Sequence, residues 1–346
     1  MEIKQLTLKN FRNYSKKDLK FPSGTTLIVG NNAVGKTNIL EAIYLLATGK
    51  SFRVKGVEGE MIHYGEEIAS VKAETSRDRL EIILTRGEVM GEKAAKKRYL
   101  VNDVGKRAAD FTGNLKTVYF GPEDLDIVIG SPSTRRKYLD SVLTQVDREY
   151  ARAILSYEKG LRARNKILEF MKETGEADRR KLFFWDQLLI KNGNLITQRR
   201  ESLINFVNSN HLIESSQFNL EYDRSTISEQ RLTQYEKEEV AAGTTLVGPH
   251  RDDFLVKLEE RDLAPYGSRG EQRLAVLWLK LSELSFIKNQ SEDTPVLLLD
   301  DIFSELDEKH QHLVLEVVDK QQTIITSANL ELAEEDWLSG VNVITF

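Results

Sequence analysis

The chain has 346 residues, 40% hydrophobic and 30% charged, so it can fill one large domain or two ordinary ones and is not a disordered polymer. Its net charge of −5 gives no global pull toward nucleic acid, so any DNA contact must come from local patches. It has no cysteine, which excludes disulfides and thiolate metal sites, and neither a signal-like apolar core after Met1 nor an apolar run of membrane-spanning length, so a soluble, cytoplasmic protein is expected.

Ile3 to Phe11 alternates partly, with Leu6 and Leu8 on one side, and predicts a strand followed by the loop Asn10 to Tyr14. Thr25-Thr26-Leu27-Ile28-Val29 is β-branched and apolar, as a buried strand should be. Next comes Gly30-Asn31-Asn32-Ala33-Val34-Gly35-Lys36-Thr37, which reads G-x-x-x-x-G-K-T, the phosphate-binding loop. Asn38 to Leu46 continues as a helix with a broad apolar face. A bare glycine turn with a chance Lys-Thr is the bland reading. The flanking strand and helix argue against it, because together they aim backbone N–H groups and a helix dipole at one point. Lys36 is expected to reach the β- and γ-phosphates of ATP, and the Thr37 hydroxyl to sit on Mg²⁺.

Residues 50–59 carry Lys50, Arg53 and Lys55 and read as a basic surface loop. Ala69 to Ala73 and Leu80 to Leu84 predict a hairpin around Thr75 to Asp78, and Lys97 to Val101 a further strand, forming an antiparallel sheet beside the nucleotide site. Leu115 to Phe120 is another strand, closed by Gly121-Pro122. Ser131-Pro132 starts a helix, and apolar residues recur at helical spacing from Tyr138 to Leu161. A second run extends from Trp185 to Val207. These predict an antiparallel helical arm over 129–243, inserted into a nucleotide domain made of 1–128 and 244–346. After the arm come the turn Gly248 to Asp253, a strand at Phe254 to Leu258, a helix from Arg273 to Phe286, and apolar strands at Pro295 to Leu299 and Thr323 to Ser327.

Val296-Leu297-Leu298-Leu299-Asp300-Asp301 has the form of a magnesium strand partnered with a phosphate loop. Asp300 would hold Mg²⁺ and Asp301 would polarise the attacking water, the ion offsetting their repulsion. Ser268-Arg269-Gly270-Glu271 resembles the signature of ABC-type ATPases, and Glu305-Leu306-Asp307 resembles their D-loop. The order of loop, arm, signature, acidic strand and D-loop is also theirs. Within that superfamily the chain resembles the RecF family of bacterial recombination mediators over essentially its whole length. The resemblance is carried by Leu8 to Tyr14, Gly30 to Asn38, Gly121 to Leu125, Arg135-Arg136, Gly248 to Asp253, Ser268 to Arg273 and Leu298 to Asp307. It implies an α/β fold: an ABC-type ATPase head, with a phosphate-loop α/β core and an antiparallel β subdomain, plus the α-helical arm. It implies an ATP-dependent homodimer in which Ser268, Arg269, Gly270, Glu271 and Asp307 contact the ATP of a second subunit. It also implies binding of double-stranded DNA near single-strand gaps, partnership with RecR and RecO in loading recombinase, and roles in repair, SOS induction and replication restart.

Three departures from the superfamily pattern stand out. Arg269 occupies a usual glycine position, no Q-loop glutamine follows Phe120, leaving Glu123 as a candidate substitute, and Asp301 replaces a glutamate. The shorter Asp301 is consistent with slow hydrolysis. Residues 129–200 hold sixteen Lys or Arg against nine Asp or Glu, which makes the first half of the arm a DNA candidate. Arg135, Arg136, Arg162, Arg164, Arg179 and Arg180, with Arg53 from the basic loop, are the expected contacts, against the bland reading of a solvated helical face. A transporter ATPase would carry a Q-loop and a switch histidine, where this chain has Thr326-Ser327. An SMC protein or zinc-hook ATPase needs a far longer arm, and the hook needs cysteine. A nuclease of the overcoming-lysogenisation type needs a second acidic domain. A purely structural DNA clamp remains the non-enzyme alternative.

Overall fold

The computed structural model describes the chain except residues 55, 176–177, 211, 214–215, 305, 307 and 329–340. Two compact units result, one from Met1–Asp124 with Glu283–Phe346, the other from Leu125–Ser282.

The first unit is built on a five-stranded sheet in the order Thr117–Phe120, Val296–Asp300, Thr323–Ser327, Thr25–Val29, Asn342–Thr345. All its pairings are parallel. The first four of these strands are buried at every residue, which explains why they read as continuous apolar runs rather than alternating ones. A six-stranded antiparallel sheet runs Tyr14–Lys20, Ile3–Phe11, Ile68–Thr75, Arg79–Thr85, Lys97–Val101, Val104–Lys106. The helix Lys36–Thr48 shares one apolar core with both sheets: Ile39, Leu40, Ile43 and Leu46 pack with Leu6, Leu8, Val71 and Leu80 and with Val296, Leu298 and Ile324. A helix covered on two sides needs a broad apolar face, and this one has it.

The second unit holds the helices Pro132–Val146, Arg148–Thr174 and Phe183–Ser209. The last two run antiparallel: Asp147 meets Arg199, Tyr150 meets Arg200 and Arg164 meets Asp186. Between them Gly160 sits so close to the facing helix that a Cβ there would lie 2.5 Å from Leu188 Cδ2. The run read as one periodic stretch breaks at Asp147, whose carboxylate caps the following helix through Glu149 N–H and Tyr150 N–H at 2.8 and 2.9 Å. The helix Arg269–Gln290 begins earlier and ends later than Arg273 to Phe286.

The division of the chain also differs from the expected 129–243 arm. Residues 244–282 cluster with the arm because the strand Asp253–Leu258 pairs with Ser216–Asp223 along its whole length, from Phe218 opposite Leu258 to Asp223 opposite Asp253. No local signal announces such a pairing. Among the described residues no helix is long and apolar enough to cross a membrane.

Candidate nucleotide site

The buried strand Thr25–Val29 delivers the chain to Gly30, and the loop turns into the helix Lys36–Thr48 through Ala33 at φ 69° and Gly35 at φ 111°. Gly35 needs that left-handed geometry as the helix N-cap. The buried ammonium of Lys36 donates to the carbonyls of Gly30 at 2.7 Å and Asn31 at 3.0 Å. It is therefore held inside the loop.

Asp300 ends the strand Val296–Asp300 beside this loop. Its Oδ1 accepts from the Thr37 hydroxyl at 3.0 Å and from the Thr326 hydroxyl at 2.6 Å, and its Oδ2 lies 3.2 Å from the Tyr119 hydroxyl. Burial pushes the Asp300 carboxyl above the ordinary carboxylate range, the Thr326, Thr37 and Tyr119 hydrogen bonds pull it back, and Glu123 adds to the rise. Asp301 leaves the strand at φ 52°, its N–H directed at both the carbonyl and the hydroxyl of Thr326, 3.1 and 3.2 Å away. A non-glycine residue in that conformation marks a position fixed by its surroundings. Thr326, singled out as standing where a transporter has its switch histidine, thus braces both carboxylate positions.

The donor set suits a hard divalent cation. Thr37 Oγ1 and Asp300 Oδ1 are both oxygens and already in contact, and among the described residues no group of three or more His, Cys, Asp or Glu forms an all-protein metal cage. One carboxylate and one hydroxyl, completed by phosphate and water, is the way Mg²⁺ is held beside nucleotides.

Tyr119 was not anticipated. Its hydroxyl donates to Glu123 at 2.8 Å, its ring stacks on Phe52 at 3.8 Å between centroids, and it joins Glu123 to Asp300. A phenol in an apolar strand carries no sequence signal of its own. Glu123, suspected as the Q-loop substitute, is thereby tied to the Asp300 carboxylate. The fully buried Glu41 was also missed: it pairs with Arg12 at 2.5 Å and accepts from Ser51 at 2.5 Å. Arg53 lies 3.8 Å from Glu41 and donates to Asn38 Oδ1 at 2.7 Å, so this expected DNA contact is anchored at the start of the loop's helix, with its side chain 40% exposed.

The signature residues are placed in the second unit. Ser268, Arg269 and Gly270 are exposed at the N-terminus of Arg269–Gln290. Ser268 and Glu271 form a reciprocal cap: Glu271 accepts from Ser268 N–H at 2.7 Å, and the Ser268 hydroxyl accepts from Glu271 N–H at 3.3 Å. Arg261 and that cap hold the Glu271 carboxyl down to about 2. Asp307 and Glu305 lie outside the described residues.

Two expected DNA contacts are corrected. Arg135 is buried and clamps Asp253 in a two-pronged pair at 2.6 and 2.8 Å, with Gly130 O at 2.7 Å. Arg164 is buried between Asp186 and Glu239, each at 2.7 Å. Both side chains are buried, and the carboxylates that pair with them come from distant parts of the chain. Arg136 is half-buried and bonds the Asp252 carbonyl at 2.7 Å. Arg179 pairs with Glu236. Arg162 and Arg180 are exposed, Arg180 beside Asp178.

A family model described as the RecF/RecN/SMC N terminal domain matches residues 2–343. A DNA replication and repair protein RecF from Clostridium novyi is 39% identical over 346 residues, covering 95% of this chain and 94% of its own. The chain belongs to the RecF family. Another RecF, from Herpetosiphon aurantiacus, is 36% identical over 373 residues, covering 99% of this chain and 97% of its own. Two solved structures, described as the recombination mediator protein RecF with ATPrS and with ATP in the RecFOR pathway, match with TM-scores of 0.85 and 0.84 at 33% and 34% identity. They cover 99% and 95% of this chain and 95% and 92% of their own. An Smc head domain from Pyrococcus furiosus matches at TM-score 0.51 and 17% identity, over 99% of this chain and 93% of its own, and shares the fold alone. The RecF fold is thus the ABC-type ATPase head, with its parallel and antiparallel sheets, that the motif order implies.

Proposed function

We propose that this RecF-family chain is an ATP-binding, ATP-hydrolysing protein of DNA replication and repair, in which nucleotide joins two copies on DNA. The observation that carries the reading is the Thr37 hydroxyl resting on the Asp300 carboxylate beside the Gly30–Gly35 loop. Gly30 to Asn38 surround the phosphates, Lys36 neutralises them, and Thr37 with Asp300 holds Mg²⁺, which when bound offsets charge on the terminal phosphates. Asp301 orients water, and its short side chain makes turnover slow. Support comes from the RecF relatives named for DNA replication and repair and from RecF structures described with ATP. From the family we also take duplex DNA near single-strand gaps as the substrate, RecR and RecO as partners, and recombinase loading, SOS induction and replication restart as the context.

The dimer is the step to test. Ser268 and Gly270 are exposed at a 22-residue helix's N-terminus, and a Cβ on Gly270 would meet nothing within 4 Å, so phosphate of a second copy has room to approach. Sedimentation with ATP should show that Ser268→Arg stays monomeric while binding ATP normally. Loss of the cap costs about 1 kcal/mol, so the variant's melting temperature is recorded alongside. Asp301→Asn should dimerise and remain dimeric, because ATP is not consumed. A Ser268→Arg protein that dimerises, or an Asp301→Asn protein with normal turnover, breaks the mechanism at a named step.

Of the arm arginines expected to meet DNA, Arg162 and Arg180 stand exposed, Arg180 bonded to Asp178, and we take them as contacts for duplex phosphates. Replacing both with Ala should weaken duplex binding and reduce the slope of log affinity against log salt by about 1 for each lost phosphate contact. An unchanged slope across a salt series places the DNA surface elsewhere.

A further inference from the structure

The strands Ile3–Phe11 and Tyr14–Lys20 close in a tight hairpin, with Phe11 opposite Tyr14. Its turn is fastened to the phosphate loop: Asn13 donates to the Val34 carbonyl at 3.0 Å and accepts from Asn38 at 2.8 Å. Tyr14 therefore sits directly against the loop. It is 8% exposed, and its hydroxyl is buried without any hydrogen-bond partner. An orphaned buried hydroxyl costs on the order of 1–3 kcal/mol, so a protein holding one has a reason beyond packing.

The hydroxyl faces Gly35, where an added Cβ would come within 2.6 Å of it. Phe346 packs on the other side, its ring centroid 6.4 Å from that of Tyr14, and its N–H donates to the Val29 carbonyl at 2.9 Å. A Cβ on Gly30 would lie 2.9 Å from Phe346 Cβ, and Lys17 covers the outer face of the Phe346 ring at 3.9 Å. The phenol thus lies against Gly35, and its neighbour Phe346 against Gly30. Burial pushes it up to about 12, so at neutral pH it keeps its proton and has a hydrogen bond to give.

We propose that the Tyr14 hydroxyl is a nucleotide-binding group, donating a hydrogen bond to a phosphate oxygen of the nucleotide held at Gly35. It completes from a side chain the ring of backbone donors that the loop supplies, and it is unpartnered until phosphate arrives. This rests on the reading of Gly30 to Asn38 as the ATP site.

The test is Tyr14→Phe, which keeps the ring and removes only the oxygen, titrated with ATP, ADP and inorganic tripolyphosphate, with Lys36→Ala as the reference. A hydrogen bond to a charged oxygen predicts affinities for all three about tenfold weaker. The melting temperature without nucleotide should be unchanged or higher, since an unsatisfied group has been deleted. A merely structural tyrosine gives the reverse: a lower melting temperature and unchanged affinity, which overturns the proposal. Weakened ATP binding with unchanged tripolyphosphate binding overturns the assignment to phosphate. If Lys36→Ala loses nucleotide while Tyr14→Phe does not, the inference fails and the ATP site stands. If neither variant changes binding, the site reading itself fails.

Discussion

Lys36→Ala is expected to weaken ATP binding on the order of a hundredfold or more and to abolish hydrolysis. The lysine ammonium is the formal positive charge placed inside the loop, donating to Gly30 O and Asn31 O from a buried position. Charge-assisted bonds to phosphate are among the strongest a site can make, and preorganised ones need no rearrangement as charge develops in the transition state. The variant also removes a buried aliphatic stem and the donor to two loop carbonyls, so its melting temperature without nucleotide is recorded alongside. Calorimetric titration with ATP decides it. Near-parental affinity would remove the central functional claim.

Arg200→Ala should destabilise the second unit by about 3–5 kcal/mol, the cost of leaving buried carboxylates uncompensated. Arg200 is 2% exposed and donates to Asp252 Oδ2 at 2.9 Å, Asp140 Oδ1 at 2.8 Å and the Pro249 carbonyl at 2.7 Å. Burial alone would favour the neutral guanidine, but Asp140, Tyr150 and Asp252 outweigh it and hold the guanidinium firmly charged. Asp252 also accepts from Tyr222 at 2.6 Å and Ser225 N–H at 2.7 Å, so the Gly248 to Asp253 stretch ties the arm helices to the small sheet of the same unit. Arg200→Lys should recover only part of the loss, since one ammonium cannot reproduce a forked guanidinium. Urea unfolding of both variants checks the ranking. A loss below about 1 kcal/mol for Arg200→Ala would mean that the carboxylates are relieved by water.

That network shows where reading the sequence stops. Gly248 to Asp253 was legible only as a rigid turn and as part of a resemblance. Arg200 and Tyr222, which bond Asp252, and Asp140, which shares Arg200, are scattered over the unit and joined only by folding. Arg135 and Arg164 failed as DNA contacts for the same reason. A run of basic residues is visible locally, but Asp253 and Glu239, which neutralise them, are not neighbours in the chain. Exposure, which separates a DNA-facing arginine from a core ion pair, is a property of three dimensions.

The sequence by itself determined what short-range chemistry fixes. The loop at Gly30 to Thr37 needs a strand before it and a helix after it, and all three are contiguous, so motif and periodicity suffice. The strand Val296–Asp300 announced itself because a strand buried on both faces must be apolar until its carboxylate end. The long helices of the arm were written in their spacing, although the cap at Asp147 divides the first of them. Only the tertiary structure decided that Tyr119 and Thr326 share Asp300 with Thr37, that Ser216–Asp223 draws residues 244–282 into the arm's unit, and that Tyr14 and Phe346 flank the loop. Each of these depends on strands and turns distant in sequence being set edge to edge, and hydrogen bonds across such a gap leave no period or motif behind them.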